Sequence, residues 1–161
     1  MKSGYGLKIL TGSNELISKR NHSVGIILFY NFPRSRKYLL VKQHQGHWGF
    51  PKGHIEKNEK LIETAVRELK EETGIKKIEF IKRKILLRDN YSFNNANAKI
   101  IKIVDYFIAE SLINKVKIDF NEIINYKWLT FGKSLERLTF KESRKILKQA
   151  NKIISDYEDG K

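Results

Sequence analysis

The stretch GHIEKNEKLIETAVRELKEETGI, residues 53–75, combines a short polar loop, one amphipathic helix and a glycine stop. Asn58 is predicted to cap the helix, because its side-chain oxygen can accept a hydrogen bond from an unpaired backbone N–H. Gly74 suits the left-handed position after the last helical residue, and Ile75 suits the apolar position that folds back on the helix. We therefore expect a helix over 59–73.

The predicted helix has an apolar face with an acidic border. At about 100° per residue, the side chains that should pack on a sheet are Ile62, Ala65, Val66 and Leu69. Glu68 and Glu72 lie beside that face, and Glu71 lies one step further round. Like charges at this spacing repel one another, and partial burial strengthens the repulsion. Mg²⁺ or Mn²⁺, which prefer carboxylate oxygens, would relieve it.

Arg67 lies on the other side of Glu71 and is expected to pair with Glu71 or Glu63, or to reach back to Glu59. The acidic residues alone would also suit a solvated helix face. The full spacing is more specific: glycine, five residues, Glu59, seven residues, then RELKEETGI. Chance matches to that spacing are very rare at average residue frequencies, so the pattern indicates a metal site.

The flanking segments predict strands that come in groups. Apolar runs and alternating patterns predict strands at 7–10, 23–30, 37–43, 78–87, 99–110 and within 122–129. Residues 88–97 are predicted to form a polar loop, and 140–157 a helix with an apolar stripe. Because regular strand–helix–strand repeats are lacking, we expect one α/β domain with a mixed sheet between helices.

The composition limits the class of protein. The chain has 161 residues, 40% of them hydrophobic and 31% charged, which suits one globular domain. The absence of cysteine excludes disulfides, zinc–thiolate sites and cysteine nucleophiles. No apolar run is long enough to span a bilayer, and the N-terminus lacks the apolar segment of a signal peptide. We therefore expect a cytoplasmic protein without membrane contact.

The net charge of +14 has two explanations. It favours a polyanionic partner. It is equally typical of a biased genome composition, because the chain is rich in Lys, Ile and Asn throughout and its lysines form no compact tract. The charge supports an anionic ligand without identifying one.

The spacing in residues 53–75 resembles the Nudix box. The matching positions are Gly53, Glu59, Arg67, Glu68, Leu69, Glu71, Glu72, Gly74 and Ile75. The resemblance implies an α/β/α sandwich with a mixed sheet, and hydrolysis of nucleoside diphosphates linked to another moiety with Mg²⁺ or Mn²⁺. It covers about residues 22–157, which leaves an N-terminal extension over 1–21 and a tail over 158–161.

The resemblance also implies roles for single residues. The metal ligands would be Glu68, Glu71, Glu72 and the backbone carbonyl of Lys52. Glu59 and Arg67 would brace the loop and helix during attack of water on phosphorus. The general base would be Glu68 or Glu71, or a glutamate outside the box. Glu122 is the outside candidate, since an acidic residue before a tryptophan-bearing strand recurs in one branch of the family. Glu122 would otherwise be an ordinary exposed loop acid.

Residues 47–59, HWGFPKGHIEKNE, resemble the asymmetric diadenosine tetraphosphate hydrolase branch, in which W-x-x-PKGH-x-E is typical. The segments DNYSF, VDYFIAE, YKWLTF and LTFKESR agree with that branch. It implies that Tyr91 and Phe140 sandwich an adenine ring, and that His47 and Lys52 contact phosphates. The alternatives are a core position for Phe140, a loop aromatic capping the sheet for Tyr91, and a surface position for Lys52.

The resemblance implies cleavage of diadenosine tetraphosphate, a small nucleotide substrate, to ATP and AMP. We expect the protein to be a monomer. A rival hypothesis is removal of pyrophosphate or a cap from the 5′ end of RNA, which the charge of +14 would suit. A third is a non-catalytic RNA-binding module. Such modules usually lack one of the box glutamates, and here none is missing.

Overall fold

The computed structural model describes residues 17–84 and 86–161. The strand predicted at 7–10 lies outside the described residues. The first described strand begins at Ile17, so residues 17–21 of the predicted extension belong to it. The division into extension, domain and tail otherwise stays a prediction. Within the described residues, no helix is long and apolar enough to cross a membrane.

The described part contains eight strands and three helices. In chain order they are β1 Ile17–Phe32, β2 Ser35–Gln43, β3 Trp48–Gly49, β4 Lys52–His54, α1 Leu61–Thr73, β5 Ile78–Phe80, β6 Leu87–Asn94, β7 Ala98–Ser111, β8 Ile123–Leu129, α2 Phe131–Arg137 and α3 Lys141–Asp159.

The strands form one mixed sheet. Its central order is β3-β2-β1-β7-β5, with β4 on β1, β6 on β7 and β8 on β2. β1 and β7 run parallel over their whole paired length, and β1 and β2 form an antiparallel hairpin. The mixed sheet and the α/β/α sandwich are therefore confirmed.

Both faces of the sheet are covered by helices. Side chains alternate along β1, so Ile27 and Phe29 pack in one core cluster with Leu147 of α3. Val24, Ile26 and Leu28 pack in a second cluster with Ala65 and Leu69 of α1. Burial on both faces explains why this strand reads as a continuous apolar run.

One predicted loop is a strand. Residues 88–97 were expected to be irregular, but β6 pairs with β7 from Leu87 to Asn94. Most of its side chains are exposed, so the strand lacks the apolar alternation that normally reveals one. The strand predicted over 78–87 is wrong in its middle, because β5 ends at Phe80.

The start of α1 also differs from the prediction. Asn58 has a φ of +66° and does not cap the helix. The helix begins at Leu61, and the backbone N–H of Lys60 donates to the Glu63 carboxylate at 2.9 Å. The C-terminal prediction is confirmed: Gly74 has a φ of +71°, and Ile75 is buried in the same cluster as Leu69.

Candidate active site

A glycine places the box helix against the sheet. Gly53 lies in β4 opposite Val24 of β1. A Cβ atom at Gly53 would lie 2.0 to 2.3 Å from the carboxylate atoms of Glu68, so any other residue here would force that carboxylate to move. The backbone of β4 therefore needs glycine at this position for the Glu68 carboxylate to lie against it.

The buried face of α1 differs from the predicted one. Val66, predicted to face the sheet, is 36% exposed, and the Val66 prediction is wrong. Glu68 is only 1% exposed, and Glu72 is also buried. The two acids thus lie within the buried face instead of along its border. The apolar periodicity of the sequence did not reveal the burial of these two acids, because acidic side chains are polar whether or not they are buried.

Arg67 ties the loop to the helix. Its Nε and Nη2 donate to the two Glu59 oxygens at 2.5 and 3.0 Å, and Nη2 also donates to the His54 carbonyl at 3.0 Å. Nη1 donates to Glu68 at 2.9 Å and to Glu71 at 3.2 Å. The hydrogen bonds from Arg67 lower the pKa of Glu59 to about 2. The expected pairing with Glu59 and Glu71 is confirmed, while Glu63 bonds the Lys60 N–H instead.

The pKa of Glu72 is shifted in the opposite direction from that of Glu59. Burial, followed by the charge on Glu68, raises its pKa to about 8, although Lys52 opposes the shift. Its Oε2 is buried and has no hydrogen-bond partner. Burial also lowers the pKa of the Lys52 ammonium. A buried acceptor without a donor is costly, so Glu72 is suited to receive a cation.

The carboxylates of the box are chemically suited to bind a hard divalent cation. Glu68, Glu71 and Glu72 offer carboxylate oxygens, and a bound cation would offset both the burial and the repulsion from Glu68 that raise the pKa of Glu72. Across residues 17–84 and 86–161, no three acidic or histidine side chains already surround a common point. Arg67 holds Glu68 and Glu71 in this structure. Metal ligation therefore stays a prediction.

Glu122 lies in the turn before β8, with its side chain exposed. Its negative charge is the smallest of the effects that act on the pKa of Glu72. The turn is held close to α1, since the Asp119 N–H donates to the Glu72 carbonyl at 3.4 Å. The position suits the predicted outside glutamate, while its role as general base stays a prediction.

The four predicted substrate-binding residues line one cavity. Its volume is about 510 Å³, and its walls include His47, Lys52, Tyr91 and Phe140. Phe140 is 47% exposed immediately before α3, so it is not a core residue. Its ring centroid lies 4.8 Å from that of His47. Tyr91 is also exposed and lies on β6 instead of in a loop.

The cavity also contains residues that sequence reasoning did not single out. Asp89, Lys102 and Glu142 contribute to its walls. Burial, and then the charge on Glu142, raises the pKa of Asp89. Tyr91 pairs with Lys102 across β6 and β7, and Asp89 lies two residues before Tyr91 on the same face. Strand alternation would have grouped Asp89 with Tyr91 if 87–94 had been predicted as a strand, whereas Lys102 and Glu142 also require the packed structure.

Comparisons with known proteins agree with this geometry. A family model described as the NUDIX domain matches residues 19–150. The chain is 31% identical over 121 residues to the asymmetrical bis(5′-nucleosyl)-tetraphosphatase of Rattus norvegicus, covering 73% of this chain and 80% of that one. It is 28% identical over 137 residues to an RNA pyrophosphohydrolase of Nitratiruptor, covering 75% and 84%.

A solved structure shares the fold. A binary complex of the C. elegans Ap4A hydrolase superposes with a TM-score of 0.70 at 20% identity, covering 88% of this chain and 99% of that one.

Proposed function

This chain belongs to the Nudix family of hydrolases, and we propose that it hydrolyses dinucleoside polyphosphates, cleaving diadenosine tetraphosphate to ATP and AMP. One observation carries the proposal: a single cavity beside the box contains His47, Lys52, Tyr91 and Phe140 together. These residues come from three separate segments of the chain. The 31% identity to the rat tetraphosphatase supports the same substrate.

The cavity residues form two groups, one suited to bind the base and the other suited to bind the phosphates. The exposed rings of Tyr91 and Phe140 offer faces on which a purine can stack, a contact worth about 1–3 kcal/mol per base. His47 lies beside Phe140, and Lys52 lies where the cavity approaches the box. The Lys52 ammonium and the His47 ring are therefore placed to bind the phosphates that follow the stacked nucleoside.

Nudix enzymes generally use divalent metals, typically Mg²⁺. In this chain Glu68, Glu71, Glu72 and the Lys52 carbonyl would hold the ion. When bound, it neutralises phosphate charge and activates water. Glu59 and Arg67 keep the loop and helix in register through their paired hydrogen bonds. Glu71, Glu68 or Glu122 takes the proton from the attacking water.

A second candidate is removal of pyrophosphate from the 5′ end of RNA. The net charge of +14 and the Nitratiruptor relative both favour it. The chemistry at phosphorus is the same, so the box does not distinguish the two candidates. A long polyanion differs from a dinucleotide in the number of phosphates that lie outside the cavity, and salt dependence reports that number.

Turnover on a substrate panel tests the proposal. Dinucleoside triphosphates, tetraphosphates and pentaphosphates and a 5′-triphosphorylated RNA are compared with Mg²⁺ over a series of salt concentrations. Efficient tetraphosphate cleavage with shallow salt dependence supports the first candidate. Weak dinucleotide turnover together with RNA turnover that falls steeply with salt contradicts it and supports the second.

A further inference from the structure

The sheet continues beyond the cavity as a three-stranded ribbon, which we define as residues 17–22 of β1, 87–94 of β6 and 98–103 of β7. In the ribbon, β1 pairs with β7 in parallel and β7 pairs with β6 in antiparallel. Within the described residues, β6 pairs with β7 alone. One face of this ribbon runs directly into the cavity, because Tyr91 and Lys102 belong to both.

Register identifies the residues of that face. Phe93 pairs with Ile100, and Ile100 pairs with Lys19 on its other side. Lys102 likewise pairs with Tyr91 and with Asn21. Paired residues point to the same side of a sheet. The ribbon face therefore consists of Lys19, Asn21, Phe93, Ile100 and Lys102, next to Tyr91.

This face presents the side chains of Phe93 and Lys19 to solvent, while Ile100 is buried and Lys102 is half-buried. Phe93 is 45% exposed, and the Lys102 ammonium lies 5.6 Å from the centre of its ring. Lys19 is exposed. Within the described residues, neither Lys19 nor Lys102 forms a salt bridge, whereas Arg88 of the same ribbon is bound to Asp105. Arg20 and Lys99, on the opposite face of the ribbon, also form no salt bridge within the described residues, so positive charge lies on both faces. The cavity-side face differs because it combines this charge with the exposed rings of Tyr91 and Phe93.

The spacing of the aromatic residues suits successive bases. Tyr91 and Phe93 are two residues apart on one strand face, which places them about 6.6–6.8 Å apart along the strand. That separation is comparable to the distance between neighbouring bases in an unstacked single strand. Aromatic platforms interleaved with lysines bind single strands with little sequence preference, because every base has a face to stack and every linkage has a charge.

We propose that the ribbon face binds a single-stranded nucleic acid whose 5′-terminal nucleotide occupies the cavity and whose next base stacks on Phe93. The ligand is identified by continuity with the cavity and by exposed aromatic rings that alternate with lysines on this face. The proposal rests on the assignment of the cavity to a nucleotide, and extends it from a dinucleotide to the end of a strand. Lys102 lies between the two base positions, where the connecting phosphodiester would pass.

Binding of a 5′-monophosphorylated oligoadenylate, labelled with fluorescein at its 3′ end, tests the proposal by fluorescence anisotropy at several salt concentrations. The wild-type chain should bind the single strand and bind a duplex of the same length clearly less well. Phe93→Ala should weaken binding roughly 5- to 100-fold, the loss expected for one base stack. Phe93→Tyr should restore it. Phe120→Ala, which removes an exposed ring outside the ribbon, should leave binding unchanged.

A charge variant supplies the second measurement. Lys19→Ala should lower the slope of log affinity against log salt by about one, as expected for one lost phosphate contact. Lys148→Ala, an exposed lysine on α3, is the matched control and should leave the slope unchanged. RNA and DNA single strands are measured in parallel. Binding of either supports the proposal, and the tighter one identifies the strand.

Three results would overturn the proposal: no single-strand binding at low salt, equal affinity for duplex and single strand, or equal binding by Phe93→Ala and Phe120→Ala. Cooperative thermal melting of each variant establishes that it is folded. Dinucleotide turnover is measured separately with Mg²⁺. Loss of the proposed enzymatic function would appear there, and failure of the ribbon proposal would appear only in oligonucleotide binding.

Discussion

The box segment and the cavity wall opposite it are built in different ways. In residues 53–75 the functional side chains are close in sequence, and one arginine joins Glu59, Glu68 and Glu71. In the cavity, Tyr91 and Phe140 come from a strand and a helix start far apart in the chain. The box is therefore a local unit, whereas the cavity depends on sheet register; in the proposed function the box supplies the chemistry and the cavity selects the substrate.

The largest fall in activity should follow from the loss of a carboxylate in the box, residues 53–75. Glu71→Gln keeps the size of the side chain but removes its negative charge. If Glu71 binds metal or takes the proton, kcat should fall about 10²- to 10⁴-fold while nucleotide binding persists. Steady-state kinetics and equilibrium binding of the dinucleotide measure the two quantities. Glu79→Gln, an exposed carboxylate on β5, should behave like the wild type. Substantial turnover by Glu71→Gln would remove Glu71 from the mechanism.

The second largest loss of turnover should follow from a substitution that fills the space beside Glu68. The added methyl group of Gly53→Ala would overlap the Glu68 carboxylate and force it to move. Misplacement of such a group by about 1 Å commonly lowers turnover roughly 100-fold. The control is Gly132→Ala in α2, where an added Cβ meets nothing within 4 Å. If Gly53→Ala turns over like Gly132→Ala, the position of Glu68 does not matter for catalysis.

Changes in the cavity wall should separate binding from chemistry. Tyr91→Ala and Phe140→Ala should each raise KM about 5- to 100-fold through the loss of base stacking, with less effect on kcat. Phe120→Ala is the control for removal of an exposed aromatic side chain. A fall in kcat with an unchanged KM would show that these rings do not hold the base.

The smallest effect concerns stability. Because the pKa of Glu59 falls from 4.5 to about 2 on folding, its ionised form stabilises the fold above the ordinary pKa, and that contribution is lost as the pH falls toward 2. Glu59→Gln should lower the free energy of unfolding by about 1–3 kcal/mol near neutral pH. The difference from wild type should shrink below pH 4.5.

Urea denaturation at several pH values measures this difference. Glu56→Gln is the control, since its carboxylate lies 3.7 Å from Arg67 and is mostly exposed. A difference between wild type and Glu59→Gln that does not change with pH would contradict the assigned role of the Glu59 charge.

The same contrast explains what the sequence could predict. The strands at 23–30, 37–43 and 99–110 were predicted because burial on both faces leaves apolar runs, and Gly74 marks the helix end through its left-handed conformation. β6 was missed because its exposed side chains leave no pattern. Val66 was misplaced because Glu68 and Glu72 are buried in the helix face that packs on the sheet, which apolar periodicity does not show.

Prediction of the site from the sequence was limited in the same way. The box residues and the four cavity residues were identified by their spacing and their resemblance to a family. Lys102 and Glu142 required the register of β6 on β7 and the start of α3, which no local pattern provides. The burial of Glu72 and its raised pKa also depend on the packed structure.

Product analysis in ¹⁸O-labelled water tests the central claim most directly. Diadenosine tetraphosphate is incubated with the wild-type chain and Mg²⁺, and the nucleotides are separated and weighed by mass spectrometry. Asymmetric cleavage predicts ATP and AMP in equal amounts, with the label in one of the two. Two molecules of ADP, or no turnover by a cooperatively melting protein, would contradict the account.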